Sequence, residues 1–182
     1  MSAPERSGIS TATALPAHGF DVPAFRRALG HFPTGVTVVT AARLGDLPIG
    51  ITVSSFNAVS LDPPLILFSV SKRCLSLPAL RNAAAYAVNV LREDQRELSQ
   101  RFAATHGAKW IDVDWHEGIT ASPLLEPALA IFECEPYAVH DSGDHEIFVG
   151  RVVAIANDSN AHPLVFFRGG YGSLIAQGAG SD

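Results

Sequence analysis

Small hydroxyl side chains, two adjacent cations and one histidine are the residues whose types and spacing could do chemistry here. Within Gly-Ile-Thr-Val-Ser-Ser-Phe-Asn (Gly50 to Asn57), Ile51 and Val53 alternate with Thr52 and Ser54. An extended chain therefore turns its apolar residues to one face and its hydroxyls to the other. With Ser55, Phe56 and Asn57 following, the small polar face leaves backbone amides open to a flat ligand that carries many hydrogen-bonding atoms along its edge. Lys72 and Arg73 come shortly before Ser76 and Pro78. Ser76 reads as the N-cap of a helix over Leu77 to Ala84, so N–H groups and two cations converge where an anion could rest. A solvated turn with a helix cap is the plainer reading of the same residues. His145 follows the turn Asp141-Ser142-Gly143-Asp144.

Other chemistries find no foothold. The chain has no G-x-G-x-x-G after a strand, no phosphate loop ending in Gly-Lys-Ser/Thr and no H-E-x-x-H. Gly169-Gly170-Tyr171-Gly172 is too short and badly placed for a dinucleotide fingerprint, which excludes only that mode of binding a nicotinamide. Asp141, Asp144, His145 and Glu146 suggest a metal cluster, but neighbours on an extended chain point apart, and we expect no metal site. Hydrolysis by a Ser/His/Asp set lacks a Gly-x-Ser-x-Gly elbow, and Ser54 and Ser55 lie in a strand rather than a strained turn.

The formal net charge is -5 and no Lys/Arg-rich run occurs, so a nucleic-acid partner is not expected. No stretch approaches the ~18 apolar residues of a spanning helix. The first residues lack the basic start and apolar run of a signal peptide. These features predict a cytoplasmic protein without a membrane, in which Cys74 and Cys134 are free thiols. At 182 residues one domain is the expectation. Hydrophobic residues make up 47% and charged residues 17%, an apolar balance that assigns some surface to a subunit interface.

The elements that must position these residues can be read in order. Residues 1–19 read as a disordered arm, residues 20–176 as the domain and residues 177–182 as a tail. Asp21 caps a helix with Pro23 in its first turn and Phe25, Leu29 and Phe32 on one face, ended by Pro33 and Gly35. Val36 to Ala42 is a strand that Leu44-Gly45-Asp46 turns back into Gly50 to Ser54. After the stiff Asp62-Pro63-Pro64 corner, Leu65 to Val70 reads as a strand buried on both faces. Tyr86 to Leu91 is a strand whose Asn89 is either a satisfied core amide or a cofactor contact. Glu93 to Ala103 is a helix with Leu98 and Phe102 on one face, Phe102 being core by its spacing. His106 to Pro127 shows no sustained period and reads as a long loop. Strands follow at Ala128 to Glu135, Tyr137 to His140, Ile147 to Ala156 and Leu164 to Phe167.

Three motifs in order carry a family resemblance. They are Phe32-Pro33-Thr34-Gly35-Val36-Thr37-Val38-Val39-Thr40, the run from Gly50 to Leu65, and Gly143-Asp144-His145-Glu146-Ile147-Phe148-Val149-Gly150-Arg151-Val152. Together they resemble the short-chain flavin reductases that supply two-component monooxygenases, over about Phe25 to Tyr171. The resemblance implies a mainly β fold, a split β-barrel of Greek-key type with a few short helices, that binds FMN or FAD. It implies a homodimer, hydride from NADH or NADPH, and a partner flavin-dependent monooxygenase. Carried over to this chain, it assigns Thr52, Val53, Ser54 and Ser55 to the flavin ring and ribityl edges. It gives Lys72, Arg73, Cys74 and Ser76 to the phosphate and Phe102 to the flavin's surroundings, while for Asn89 the core amide and the cofactor contact both stay open. His145, the residue assigned to the reacting side, and Tyr171 would meet the nicotinamide.

Arg73-Cys74-Leu75 departs from the hydroxyl residues that the family commonly has in this loop. A thiol donates hydrogen bonds poorly, so phosphate affinity would lean on the two cations, with FMN the preferred flavin. Two other functions fit the same sequence: a flavin-retaining enzyme of this fold that acts directly on another substrate, and a non-catalytic module that binds a flavin or other ligand.

Overall fold

The protein is described by a computed structural model covering residues 21–42, 48–158 and 160–174. Expectations for residues 1–19 and 177–182 and for the Leu44-Gly45-Asp46 turn lie outside these residues. In chain order the elements are α1 (Val22–Leu29), β1 (Thr34–Gly35), β2 (Thr37–Ala41), β3 (Ile49–Val53), β4 (Asn57–Leu61) and β5 (Pro64–Ser71). Then come α2 (Leu77–Arg81), β6 (Tyr86–Val90), α3 (Arg96–Ala103), β7 (Trp115–Glu117), β8 (Pro123–Leu125), β9 (Ala130–Ser142), β10 (His145–Asn157), β11 (Val165–Phe167) and β12 (Gly170–Gly172).

Seven strands form one antiparallel sheet in the order β3-β2-β6-β9-β10-β5-β4. Consecutive β3 and β4 are thus its two opposite edges, joined by Ser54, Ser55 and Phe56 alone. In a flat sheet, six interstrand steps of about 4.8 Å would separate those edges by about 29 Å. The chain from Val53 to Asn57 reaches at most about 14 Å. The sheet must therefore curl until its edges meet. Ser55 fastens the closure, accepting the Ser69 N–H at 2.9 Å and donating to the Ser69 carbonyl at 3.2 Å, which joins the end of β3 to β5 without a continuous ladder. The expected split barrel is present.

Inside the barrel pack Val39, Ile51, Ile66, Phe68, Val70, Tyr86, Val88 and Phe148, with Leu77 and Leu80 of α2 at one end. Phe68 stacks on Phe148 with centroids 5.3 Å apart. Outside the wall a second cluster joins Val36, Val38, Leu91, Phe102, Trp110, Leu125 and Leu164. Strand β2 is consequently buried along its whole length: Val39 faces the barrel and Val38 faces α3 and the segment after it.

Several elements differ from the sequence reading. Asn57–Leu61 is a strand, paired with β5, where only a corner was expected. Strand β5 is not buried on both faces, since Leu67, Ser69 and Ser71 are half-buried while their alternates are buried. The strands expected at Ala128 to Glu135 and Tyr137 to His140 are one long β9, in which Pro136 pairs with Gly150 at an irregularity of register. Proline lacks the N–H a ladder uses, and the sheet accommodates it by that shift. The long loop contains the β7–β8 hairpin, and α2 and α3 are shorter than their periodicity suggested. Helix α1 has the expected cap, Ala24 N–H to Asp21 Oδ1 at 3.1 Å, but buries none of its residues, leaving Val22, Leu29 and the following Phe32 exposed.

Candidate active site

Where the end of β3 faces the part of β5 that lies beyond its pairing with β4, the fold leaves a cleft of about 440 Å³. This is within the roughly 300–1,000 Å³ of small-molecule sites. One wall is Ile51 to Ser55 at the end of β3, and the facing wall is Ser69 to Ser71 at the end of β5, continued by Arg73, Cys74, Leu75 and Ser76. The C-terminal end of α3, with Phe102 to Thr105, and Lys109 close one end; His145, opposite Ser71 at the start of β10, stands at the rim. Two other clefts are as large, about 480 and 470 Å³. One is lined by Asp114, Trp115, His116, Glu126 and Pro127, and the other mostly by alanines, so neither offers cations together with free backbone donors.

The β3 wall is held rigidly. Thr52 donates its hydroxyl to the Ser99 carbonyl at 2.7 Å, which ties β3 to α3, and Ser55 is spent on the Ser69 backbone. Both hydroxyl protons are therefore committed within the protein. Among the described residues nothing accepts the N–H groups of Ser54 and Ser55, so main-chain donors rather than side-chain protons are offered to a ligand. Phe102, only 1% exposed, reaches the cleft because Gly50 has no side chain: a Cβ there would lie 2.3 Å from the phenyl ring and 3.1 Å from Trp110. Core packing and cleft lining, the two readings of Phe102, hold together.

At the rim, His145 Nδ1 lies 2.7 Å from Asp144 Oδ1. That hydrogen bond holds the Asp144 carboxyl below its ordinary range, so the carboxylate can only accept and Nδ1 carries the proton. Nε2 is left as the ring atom available to a ligand. Next along β10, Glu146 is buried and paired with Arg81 of α2 through both guanidinium Nε, at 2.8 Å, and Nη2. The Arg81 hydrogen bond outweighs burial and lowers the Glu146 carboxyl. This pair anchors the start of β10, and with it His145, to the helix behind the cation loop.

Of the residues singled out from sequence, Thr52, Val53, Ser54, Ser55, Arg73, Cys74, Ser76, Phe102 and His145 line this one cleft. Three do not. Lys72 turns away and binds Asp141 Oδ1 at 2.7 Å, taking the partner that the adjacent hairpin presents. Asn89 is a core amide, fully buried: its Nδ2 donates to the Val38 carbonyl at 3.0 Å and Thr40 Oγ1 at 3.1 Å, and its Oδ1 accepts Leu125 N–H at 2.9 Å. Tyr171 is outside the cleft lining, with its hydroxyl 2.9 Å from Ser99 Oγ and Arg96 over its ring. Ser76 makes no side-chain cap to α2, which leaves its hydroxyl free of the role expected for it. No metal cluster occurs among the described residues.

Sequence reasoning missed Lys109. Its Nζ donates to the Gly50 carbonyl at 3.2 Å and the Phe102 carbonyl at 3.1 Å, and burial lowers its pKa. The available signal was scarcity, because Lys72 and Lys109 are the only lysines of the chain.

A curled antiparallel barrel whose unpaired edges frame a cleft of main-chain donors, cations and a rim histidine defines the class of split-barrel flavin-binding proteins. Comparison with known proteins narrows it. Residues 29–174 match the family described as Flavin reductase like domain, and the chain belongs to that family. It is 46% identical over 153 residues, 84% of this chain and 86% of the relative, to the FMN reductase (NADH) SmoA of Agrobacterium fabrum. It is 39% identical over 158 residues, 87% of this chain and 80% of the relative, to the flavin-dependent monooxygenase reductase subunit HsaB of Rhodococcus jostii. Among solved structures, the Streptomyces globisporus NADH:FAD oxidoreductase SgcE6, in complex with NAD and FAD fragments, superposes with a TM-score of 0.84 at 33% identity, covering 92% of this chain and 100% of that one.

Proposed function

We propose that the chain is an NAD(P)H:flavin oxidoreductase that reduces FMN, or FAD, and hands the reduced flavin to a partner monooxygenase. The observation that carries this is the convergence, in one cleft, of the free N–H groups of Ser54 and Ser55, the cation Arg73 with the Ser76 hydroxyl, and His145 at the open rim. Membership of the flavin reductase family supports it. The cleft fits the group: a ring edge that needs hydrogen-bond donors meets main-chain amides, and a phosphate meets Arg73 and Ser76. Flavin and nicotinamide, when bound together, supply the hydride transfer from nicotinamide C4 to flavin N5.

The chain's own work is orientation. The Ser55 clasp and the Thr52–Ser99 bond fix the wall against which the ring lies, so its face is presented in one geometry. Arg73 and Ser76 hold the phosphate end. His145, tethered by Asp144, offers Nε2 to the nicotinamide amide from the rim. No side chain has to act as nucleophile or strong acid.

The reading includes a homodimer in the cytoplasm, supported by the exposed apolar face of α1 and by the lack, among the described residues, of a helix long and apolar enough to cross a membrane. The test is NADH and NADPH oxidation by purified protein with FMN, FAD or no flavin added. Turnover that requires added flavin is expected, with FMN preferred. A rate independent of added flavin would place the electrons on a different acceptor and overturn the reading.

A further inference from the structure

We propose that Lys109, and not Lys72, is the second cation on the flavin's phosphate. The inference rests on the flavin reading of the cleft and names a residue of it that the motifs did not reach. Lys109 lines the same cleft as Arg73, Cys74 and Ser76. Lys72 is held by Asp141 and is absent from the lining.

Position along the cleft decides which part of the ligand Lys109 meets. At one end Ser55 is joined to Ser69, and the rim beside it carries His145 opposite Ser71. From there β3 leads back to Gly50 while the facing chain leads on to Cys74. Lys109 is bonded to the Gly50 carbonyl, and so stands at the Cys74 end, where the loop of Arg73 to Ser76 closes the cleft. A ring lying against Ser54 and Ser55 therefore extends its phosphate chain toward Lys109.

The donor count agrees. An ammonium has three N–H donors. Two are directed at the Gly50 and Phe102 carbonyls, which leaves one for a ligand. Among the described residues no carboxylate pairs with Lys109, and none lies within ion-pair distance of Arg73. Two cations lining one cleft, neither held in an ion pair, are placed to meet an anionic ligand. Partial burial, which lowers the pKa of Lys109, makes such an anion more strongly felt there than at the exposed Lys72. Cys74 is a poor donor in a loop that would otherwise supply a hydroxyl, and a lysine from the far wall compensates for it.

The experiment is titration of FMN, FAD and riboflavin against the wild type and the Lys109→Gln, Lys109→Met, Lys109→Arg and Lys72→Ala variants, each with a thermal melt. Glutamine retains donors for the two carbonyls and loses the charge. Wild type is expected to bind FMN more tightly than riboflavin. Lys109→Gln and Lys109→Met should lose about tenfold to a hundredfold in FMN affinity. Riboflavin affinity should stay within about twofold, as for a lost charge-assisted contact to phosphate alone. Lys109→Arg should keep most of the preference, and Lys72→Ala should match wild type. Equal loss of FMN and riboflavin would make Lys109 a mere tether of Gly50 to α3 and overturn the assignment. So would an unchanged FMN-to-riboflavin ratio, or weakening confined to FAD, which would move Lys109 to the outer phosphate. If wild type itself binds FMN and riboflavin equally, the phosphate reading of the loop falls, and this assignment with it.

Discussion

In the proposed reading, His145 is the residue that meets the nicotinamide. Its Nδ1 is bonded to Asp144 and its backbone pairs with Ser71, which together set the ring at the rim of the cleft. His145→Ala is expected to slow reduction of bound flavin, by up to about 100-fold if the nicotinamide is displaced by ~1 Å, while changing flavin affinity little. Stopped-flow reduction by NADH and an equilibrium flavin titration measure the two separately. Reduction at the wild-type rate across NADH concentrations would make His145 an ordinary turn histidine. Alternating residue type was enough to set Thr52 and Ser54 on a polar face opposite Ile51 and Val53, because strand geometry admits only two directions, whereas Val53 and Ser55 came to the site through the family resemblance. Side-chain partners were not legible in the same way. Lys72 and Arg73 are neighbours of like charge, and only the position of Asp141, 69 residues away, decides which of them leaves the cleft. Asn89 was ambiguous for a related reason: its three hydrogen bonds run to β2 and β8, and neither partner is close in sequence.

At the scale of elements, the start of β10 holds two carboxyls on either side of His145 that fold into partnerships. Asp144 is lowered by its bond to His145 and Glu146 by its bond to Arg81. A carboxyl lowered in the folded state contributes stability that is full above its unfolded value and is lost as pH falls through its folded value. The protein should therefore lose thermal stability as pH drops below about 4, the usual carboxylate range. Glu146→Gln should be less stable near neutral pH and should show a shallower fall in acid. Melting temperatures for both proteins between pH 3 and pH 7, on the order of one measurement per half unit, check this. Parallel acid limbs would remove Glu146 from the account. Elements themselves were legible where periodicity ran long, as in β2, β3, β6 and β10. Strand β4 was hidden because its Ser60 and Leu61 lead straight into the Asp62-Pro63-Pro64 corner. The β7–β8 hairpin is only three residues per strand, too short for a period to emerge.

For the whole molecule, one group of exposed apolar residues lies at α1, an element that buries none of its own residues. Val22 and Leu29 on α1 and Phe32 just beyond it are 47%, 57% and 75% exposed, and the helix has an intact cap. An amphipathic helix in water without a partner surface gains little from its apolar stripe. Light scattering at micromolar concentration is expected to give twice the chain mass, and Leu29→Glu with Phe32→Glu to shift the mass toward the monomer. A monomeric wild type with full activity would count against the interface. The closed barrel was legible only through the family resemblance. Nothing local in Ser54, Ser55 and Phe56 announces that they join opposite edges of a seven-stranded sheet.

The aromatic row beside Gly50 gives the protein a built-in optical reporter. Phe102 lines the cleft, Trp110 packs on Phe102 with centroids 5.0 Å apart, and Trp115 packs on Trp110 at 5.7 Å. These are the only two tryptophans in the chain. Oxidised flavin absorbs where indole emits, so a flavin seated against Phe102 would drain the excited state of both indoles with no unquenched third to mask it. Titration with FMN should extinguish most of the intrinsic emission along a single saturation curve, and reduction by NADH should restore part of it as the yellow absorption fades. Affinity and redox state could then be followed in one cuvette, without a label and without the monooxygenase.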